Sequence, residues 1–98
     1  MEERFDCKDL STFFKALSNP IRLKILKDLT VDEKCVSDVE NSVRASQATV
    51  SQHLAVLKEC GIVKCRKAGN MRCYRLKQPE LIERIIKLAE KTEREGKR

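Results

Sequence analysis

The chain has 98 residues, a length that fits one small domain, 1–98. Charged residues make up 37% of it and aromatic residues 4%, a mix that suits a helical domain with a solvated surface better than an aromatic-rich β-sandwich. The net charge is +6, and no apolar run approaches the length of a membrane span, so a membrane protein is excluded and a polyanion is the natural partner.

In chain order, Leu10, Phe13, Phe14 and Leu17 recur at i, i+3, i+4 and i+7, which predicts a first helix over about 9–18, with Asp9 or Asp6 at its start. Asn19-Pro20 ends it and opens a second helix, with Asn19 as N-cap and Pro20 at the first helical position. This second helix buries Ile21, Ile25, Leu26 and Leu29 and turns Lys24, Lys27 and Asp28 to water. The polar run Thr30–Lys34 reads as a connection. A short third helix fits Cys35–Ser42, with Val36, Val39 and Val43 inward; its β-branched content makes it dependent on packing. Arg44-Ala45-Ser46 is a tight turn, and Ser46 is a good N-cap for a fourth helix, Gln47–Cys60, whose inner face is Val50, Leu54 and Leu57. Gly61 then supplies a left-handed C-cap.

The period changes after Gly61. Ile62–Ala68 and Met71–Lys77 alternate and are separated by Gly69-Asn70, the pattern of a β-hairpin with a two-residue turn. Pro79 opens a last helix, about 80–95, with Leu81, Ile82, Ile85, Ile86, Leu88 and Ala89 as its apolar set, and Gly96-Lys97-Arg98 is a frayed tail. The expected fold is mainly α with a β-hairpin wing (α+β), in the order ααααββα: two helices joined by a short turn and followed by a basic hairpin, a winged helix-turn-helix.

The charge is unevenly placed. Residues 1–45 are close to neutral, whereas Lys64, Arg66, Lys67, Arg72, Arg75 and Lys77 fall in 61–78 with no acidic residue among them. Such a run serves as a solvated face or, by neutralising phosphates, as a nucleic-acid contact. The fourth helix favours the second reading. A helix that reads DNA needs short polar side chains on its outer face and no carboxylates. Gln47, Ala48, Thr49, Ser51 and Gln52 meet that description, and no acidic residue lies between Val43 and Lys58. Ser46 and Gln47 sit at the positive end of the helix dipole. Lys67, Asn70 and Arg72, at the tip of the wing, are placed for phosphate or a narrow minor groove. His53 borders the buried face of its helix and reads as a packed or hydrogen-bonded histidine; one histidine cannot make a multi-histidine zinc site.

An enzyme is excluded by the lack of paired carboxylates in a pocket pattern, of a nucleophile with its base, and of a glycine-rich phosphate loop. The start Met1-Glu2-Glu3-Arg4 is not that of a signal peptide, and a cytoplasmic location is expected. The chain carries five cysteines, an odd number without a C-x-x-C pair, so neither a disulfide framework nor a zinc finger fits. With a two-residue turn, Cys65 faces Tyr74 and Cys73 faces Arg66; a three-residue loop would instead pair Cys65 with Cys73. Cys60, Cys65 and Cys73 also read as small buried hydrophobes.

Three stretches together, Phe14–Leu26, Ser46–Lys58 and Tyr74-Arg75-Leu76, resemble the ArsR/SmtB family of bacterial and archaeal repressors over almost the whole chain. The resemblance implies a homodimer built from the first and last helices, here Leu10, Phe13, Phe14, Leu81, Ile82, Ile85, Ile86 and Ala89. The width of the last helix's apolar stripe points the same way, and two-fold symmetry would set the recognition helices roughly 34 Å apart. It further implies a repressor seated on an imperfect palindrome in double-stranded DNA and released by a metal or metalloid ion. Members often carry Cys-x-Cys at the start of the third helix. Here Cys35-Val36-Ser37 keeps only the first cysteine, and serine is a poor ligand for soft ions. Cys7 stands where a ligand from the N-terminal region of the other protomer would come from, so Cys35 and Cys7 are the candidate site for arsenite or a soft metal ion, with no third ligand identified. The family's histidine site on the last helix is excluded, since 79–98 contain no histidine. The alternatives are a redox- or sulfur-sensing repressor that uses a cysteine pair, and an effector-independent winged-helix regulator or interaction module.

Overall fold

A computed structural model describes residues 6–96. Met1–Arg4 and the Lys97-Arg98 end of the expected frayed tail lie outside the described residues. The order is α1 (Cys7–Leu17), α2 (Pro20–Val31), β1 (Lys34–Cys35), α3 (Val36–Val43), α4 (Gln47–Glu59), β2 (Val63–Ala68), β3 (Met71–Leu76) and α5 (Pro79–Gly96). The predicted helices and hairpin are all present, and the architecture is a winged helix-turn-helix.

Local chemistry sets the boundaries. Asp6, not Asp9, caps α1: its Oδ1 accepts from the Asp9 N–H at 2.9 Å, which moves the helix start to Cys7. Asn19 Oδ1 accepts from the N–H groups of Ile21 and Arg22 at 2.9 and 3.0 Å. Arg44, at φ 58°, closes α3 in the left-handed region, and Ser46 Oγ accepts from the Thr49 N–H at 3.2 Å to open α4. In the wing turn Gly69 takes φ +64° while Asn70 stays outside the left-handed region, the φ pattern of a type II′ hairpin turn.

Two expectations need correction. Thr30–Lys34 is not a plain connection. α2 runs on through Val31, and Lys34–Cys35 adds a third strand against β3, giving the sheet order β1-β3-β2. A two-residue strand has no periodicity to read; its pairing with β3 creates it. Asp28 does not face water as Lys24 and Lys27 do. It is half-buried, and its Oδ2 has no hydrogen-bond partner among the described residues.

The core draws on every helix and on both wing strands. Ile25, Leu26, Val39, Val50, Leu54 and Leu57 are fully buried, joined by Ala16, Leu17, Leu29, Val43, Ile62, Val63, Tyr74, Leu76 and Ile82. The inner face predicted for α4 is the observed one, so the opposite face is fixed in space by packing rather than by helix propensity.

Candidate functional site

Three groups of side chains follow from this frame. The first is the outer face of α4. Ser46, Gln47, Ala48, Ser51 and Gln52 are exposed and Thr49 is half-buried. Ser46 Oγ donates to Thr49 Oγ1 at 3.1 Å, which fixes the first turn and leaves the two glutamine amides projecting. His53 lies at the inner edge of this face. Arg22 Nη1 donates to His53 Nδ1 at 3.1 Å; because a guanidinium only donates, the imidazole proton sits on Nε2. Arg22 also donates through Nε to the Ala16 carbonyl at 2.6 Å and through Nη2 to the Lys15 carbonyl at 3.2 Å, which ties the end of α1 to α2 and α4. Burial and the Arg22 cation push the His53 pKa down. His53 is thus a hydrogen-bonded structural residue, as the sequence reading has it; Arg22, its partner, was missed.

The second group is the wing. Lys67, Asn70 and Arg72 are exposed at its tip. The register pairs Lys67 with Arg72 and confirms the two-residue turn, with Cys65 opposite Tyr74 and Arg66 opposite Cys73. Two cations directly opposite destabilise a ladder unless an anion lies between them. Arg66 leaves the free basic set: its Nε and Nη2 donate to the two carboxylate oxygens of Glu33 at 2.8 and 2.9 Å, which holds the Glu33 carboxyl below the usual range.

The third group was not visible in the sequence. Because β1 pairs with β3, Cys35 stands opposite Cys73, and their sulfurs are 2.9 Å apart as free thiols. Paired residues share a face of a sheet, so Arg66, Cys73 and Cys35 form one row across the three strands, and the Arg66–Glu33 pair lies beside the thiols. Cys73 is buried, at 5% exposure, yet it stands apart from the apolar core cluster, since Tyr74 and Leu76 occupy the core side. The contact with Cys73, then burial, pushes the Cys35 pKa up to about 11. Among the described residues no group of three Cys, His, Asp or Glu side chains is arranged to hold a metal ion. Cys7, the other candidate ligand, is exposed at the first residue of α1.

Beyond these groups, α1 and α5 leave apolar side chains uncovered. Leu10, Phe14, Leu81 and Leu88 are 43, 54, 42 and 66% exposed, and Ala89 is exposed as well. Phe13 and Ile85 help line an open groove of about 590 Å³ between the two helices, while Ile86 is half-buried. Ile82, expected on this face, is 3% exposed and belongs to the chain's own core. No described helix is long and apolar enough to cross a membrane.

A helix-turn-helix with an uncharged polar second helix and a basic β-wing defines a DNA-binding transcription regulator rather than an enzyme. The family model for the bacterial regulatory proteins of the arsR family matches residues 19–64, from the cap of α2 into β2. The cadmium resistance transcriptional regulatory protein of Listeria innocua is 43% identical over 79 residues, which span 80% of this chain and 66% of that protein. An uncharacterized HTH-type transcriptional regulator of Methanocaldococcus jannaschii is 40% identical over 78 residues, 79% of this chain and 86% of that protein. The homodimeric winged helix-turn-helix DNA-binding domain of a possible ArsR-family regulator from Mycobacterium bovis superposes with a TM-score of 0.79 at 27% identity, covering 94% of this chain and 93% of that one. The chain belongs to the ArsR family of transcription regulators. It spans about two thirds of the length of the cadmium-resistance regulator it matches.

Proposed function

We propose that the protein is a homodimeric, cytoplasmic repressor that reads an imperfect palindrome in double-stranded DNA and is released by a soft, thiol-seeking effector. The observation that carries the DNA half is the outward face of α4, on which Gln47, Ala48, Ser51 and Gln52 stand exposed and uncharged behind the Ser46 cap. The glutamine amides suit adenine edges, Ser51 and Thr49 suit base or phosphate, and Ala48 meets a thymine methyl. Lys67, Asn70 and Arg72 bind backbone phosphate and relieve the Lys67–Arg72 repulsion in doing so. The exposed apolar groove of α1 and α5 supports a two-fold dimer through Leu10, Phe13, Phe14, Leu81, Ile85, Ile86 and Ala89, which places two α4 helices on successive turns of one DNA face. For the effector half, Cys35 with Cys7 of the partner subunit supplies thiolates for arsenite or a soft metal ion.

Selection from a random duplex library tests the DNA half. The expected result is enrichment of an inverted repeat, with affinity that falls steeply as salt rises. Affinity indifferent to salt, with no repeat recovered, overturns it. Sedimentation of wild type and Phe14→Asp tests the dimer, since only the variant should run as a monomer. Titration with cadmium and with arsenite, read by thiolate-to-metal absorption, should give a signal that is lost in Cys35→Ser and Cys7→Ser. No signal in wild type removes the effector half and leaves the effector-independent regulator.

A further inference from the structure

We propose that Cys35 and Cys73 form a two-thiol site within one chain that takes a monosubstituted trivalent arsenical, a compound R–As(OH)2 with two exchangeable positions. The ligand class follows from what the seam offers and what it lacks. The two sulfurs are 2.9 Å apart on one face of the β1–β3 pair, so one arsenic atom bridges them after a small opening turn of the half-buried Cys35 side chain. A tetrahedral divalent ion needs four ligands, and here the nearby carboxylates are engaged: Glu33 holds Arg66, and Asp38 Oδ2 accepts from the Cys35 N–H at 3.3 Å. Inorganic arsenite, bound by two sulfurs, keeps a hydroxyl where a third thiolate would strengthen it. A monosubstituted arsenical uses both thiols and has no further valence to fill.

The step balances without an oxidant. Two As–S bonds form, two As–O bonds and two S–H bonds break, two waters leave, and arsenic stays trivalent. The thiol protons depart in the water, so the raised pKa of Cys35 does not oppose the reaction, whereas it slows attack on peroxides, which needs a thiolate. The bridge would join the cap of α3, the first helix of the helix-turn-helix, to β3, the central strand that carries Arg72. That regulatory consequence rests on the repressor reading above; the site itself rests on the strand pairing alone.

The test uses phenylarsine oxide, which hydrates to the dihydroxy form, on the reduced whole protein. Native mass spectrometry should find one probe per chain. Bound probe should block alkylation of Cys35 and Cys73 and leave Cys7, Cys60 and Cys65 as reactive as before. Binding should survive in Cys7→Ser, fall at least about tenfold in Cys35→Ser, and exceed that of arsenite and cadmium by at least about tenfold. A probe that protects Cys7, or that binds Cys35→Ser as tightly as wild type, overturns the assignment. The alkylation pattern is read in wild type, so it does not depend on a buried Cys73 variant folding. A bridged protein that holds DNA unchanged would leave the site standing and sink only its regulatory consequence.

Discussion

The outward face of α4 is written in consecutive residues, whereas the thiol pair at the β1–β3 seam joins residues 35 and 73 through a strand only two residues long. In α4 a cap, an apolar stripe at helical spacing and a polar stripe opposite it all lie within one segment, and each agrees with the others. At the seam nothing local announces the contact; the register of β3 and the exit of α2 deliver it. The two regions also differ in what supports them. The α4 face depends on Val50, Leu54 and Leu57 being fully buried, while the seam depends on a ladder and on the Arg66–Glu33 ion pair at its edge.

The largest effect should come from removing the support of the first region. Leu54→Ala empties a fully buried site on the inner face of α4 and should lower stability by about 2–5 kcal/mol in a urea titration, with DNA binding lost as the helix loosens. A loss well below that range would mean that α4 keeps its place without the core, and the contrast with the seam would collapse.

Next come the contacts themselves. Gln52→Ala and Gln47→Ala should each weaken binding to the selected operator by about 1–3 kcal/mol and relax preference at single base positions. Arg72→Ala should weaken binding to all duplexes alike and reduce the slope of log affinity against log salt by about one. Anisotropy titrations over a salt series separate the two patterns. If the wing variant alone changed sequence preference, the division between reading helix and anchoring wing would have to be reversed.

This contrast also explains what could be read in advance. The helices and the hairpin turn follow from local signals: Asn19-Pro20 and Ser46 as starts, Gly61 as a stop, Gly69-Asn70 as the turn; the wing register stayed open between a two-residue turn and a three-residue loop until the strand pairing showed it. So did the face of α4. What escaped were features made by tertiary contact. β1 has no pattern of its own. Arg22 reads as an ordinary helix residue until its three donors find two carbonyls of α1 and the ring of His53. Ile82 belongs to the same stripe as Leu81 and Ile85, and only the packing of α5 shows that it faces inward. Cys73 was legible as buried, but its partner was not, because the strand that presents Cys35 did not exist in the pattern.

A smaller effect sharpens the seam. Arg66 and Glu33 are joined by two hydrogen bonds beside the thiols. Glu33→Gln removes the charge that holds the guanidinium, so alkylation of Cys35 should speed up at fixed pH, with little change in the unfolding midpoint because the Arg66 end of the pair is exposed to solvent. Peptide-resolved alkylation rates measure this. An unchanged Cys35 rate would show that the ion pair does not cover the thiols.

The smallest effect ties the α4 region to pH through His53, which sits in α4 and is held from α2. Burial and the Arg22 cation keep its imidazole below the ordinary value of 6.5. In the pH range just below that value the unfolded chain binds a proton that the folded chain resists, so the stability due to this group is whole above about pH 6.5 and declines as pH falls. Protonation also forbids the Arg22 contact, since a doubly protonated ring has no acceptor left for the guanidinium. Wild type should therefore lose more of its urea midpoint between about pH 7 and pH 5.5 than His53→Gln does, because the glutamine oxygen accepts from Arg22 at either pH. Parallel curves for the two proteins would mean that the ring titrates as freely in the folded state as in the unfolded one, and the three-way tie of α1, α2 and α4 through Arg22 would lose its third member.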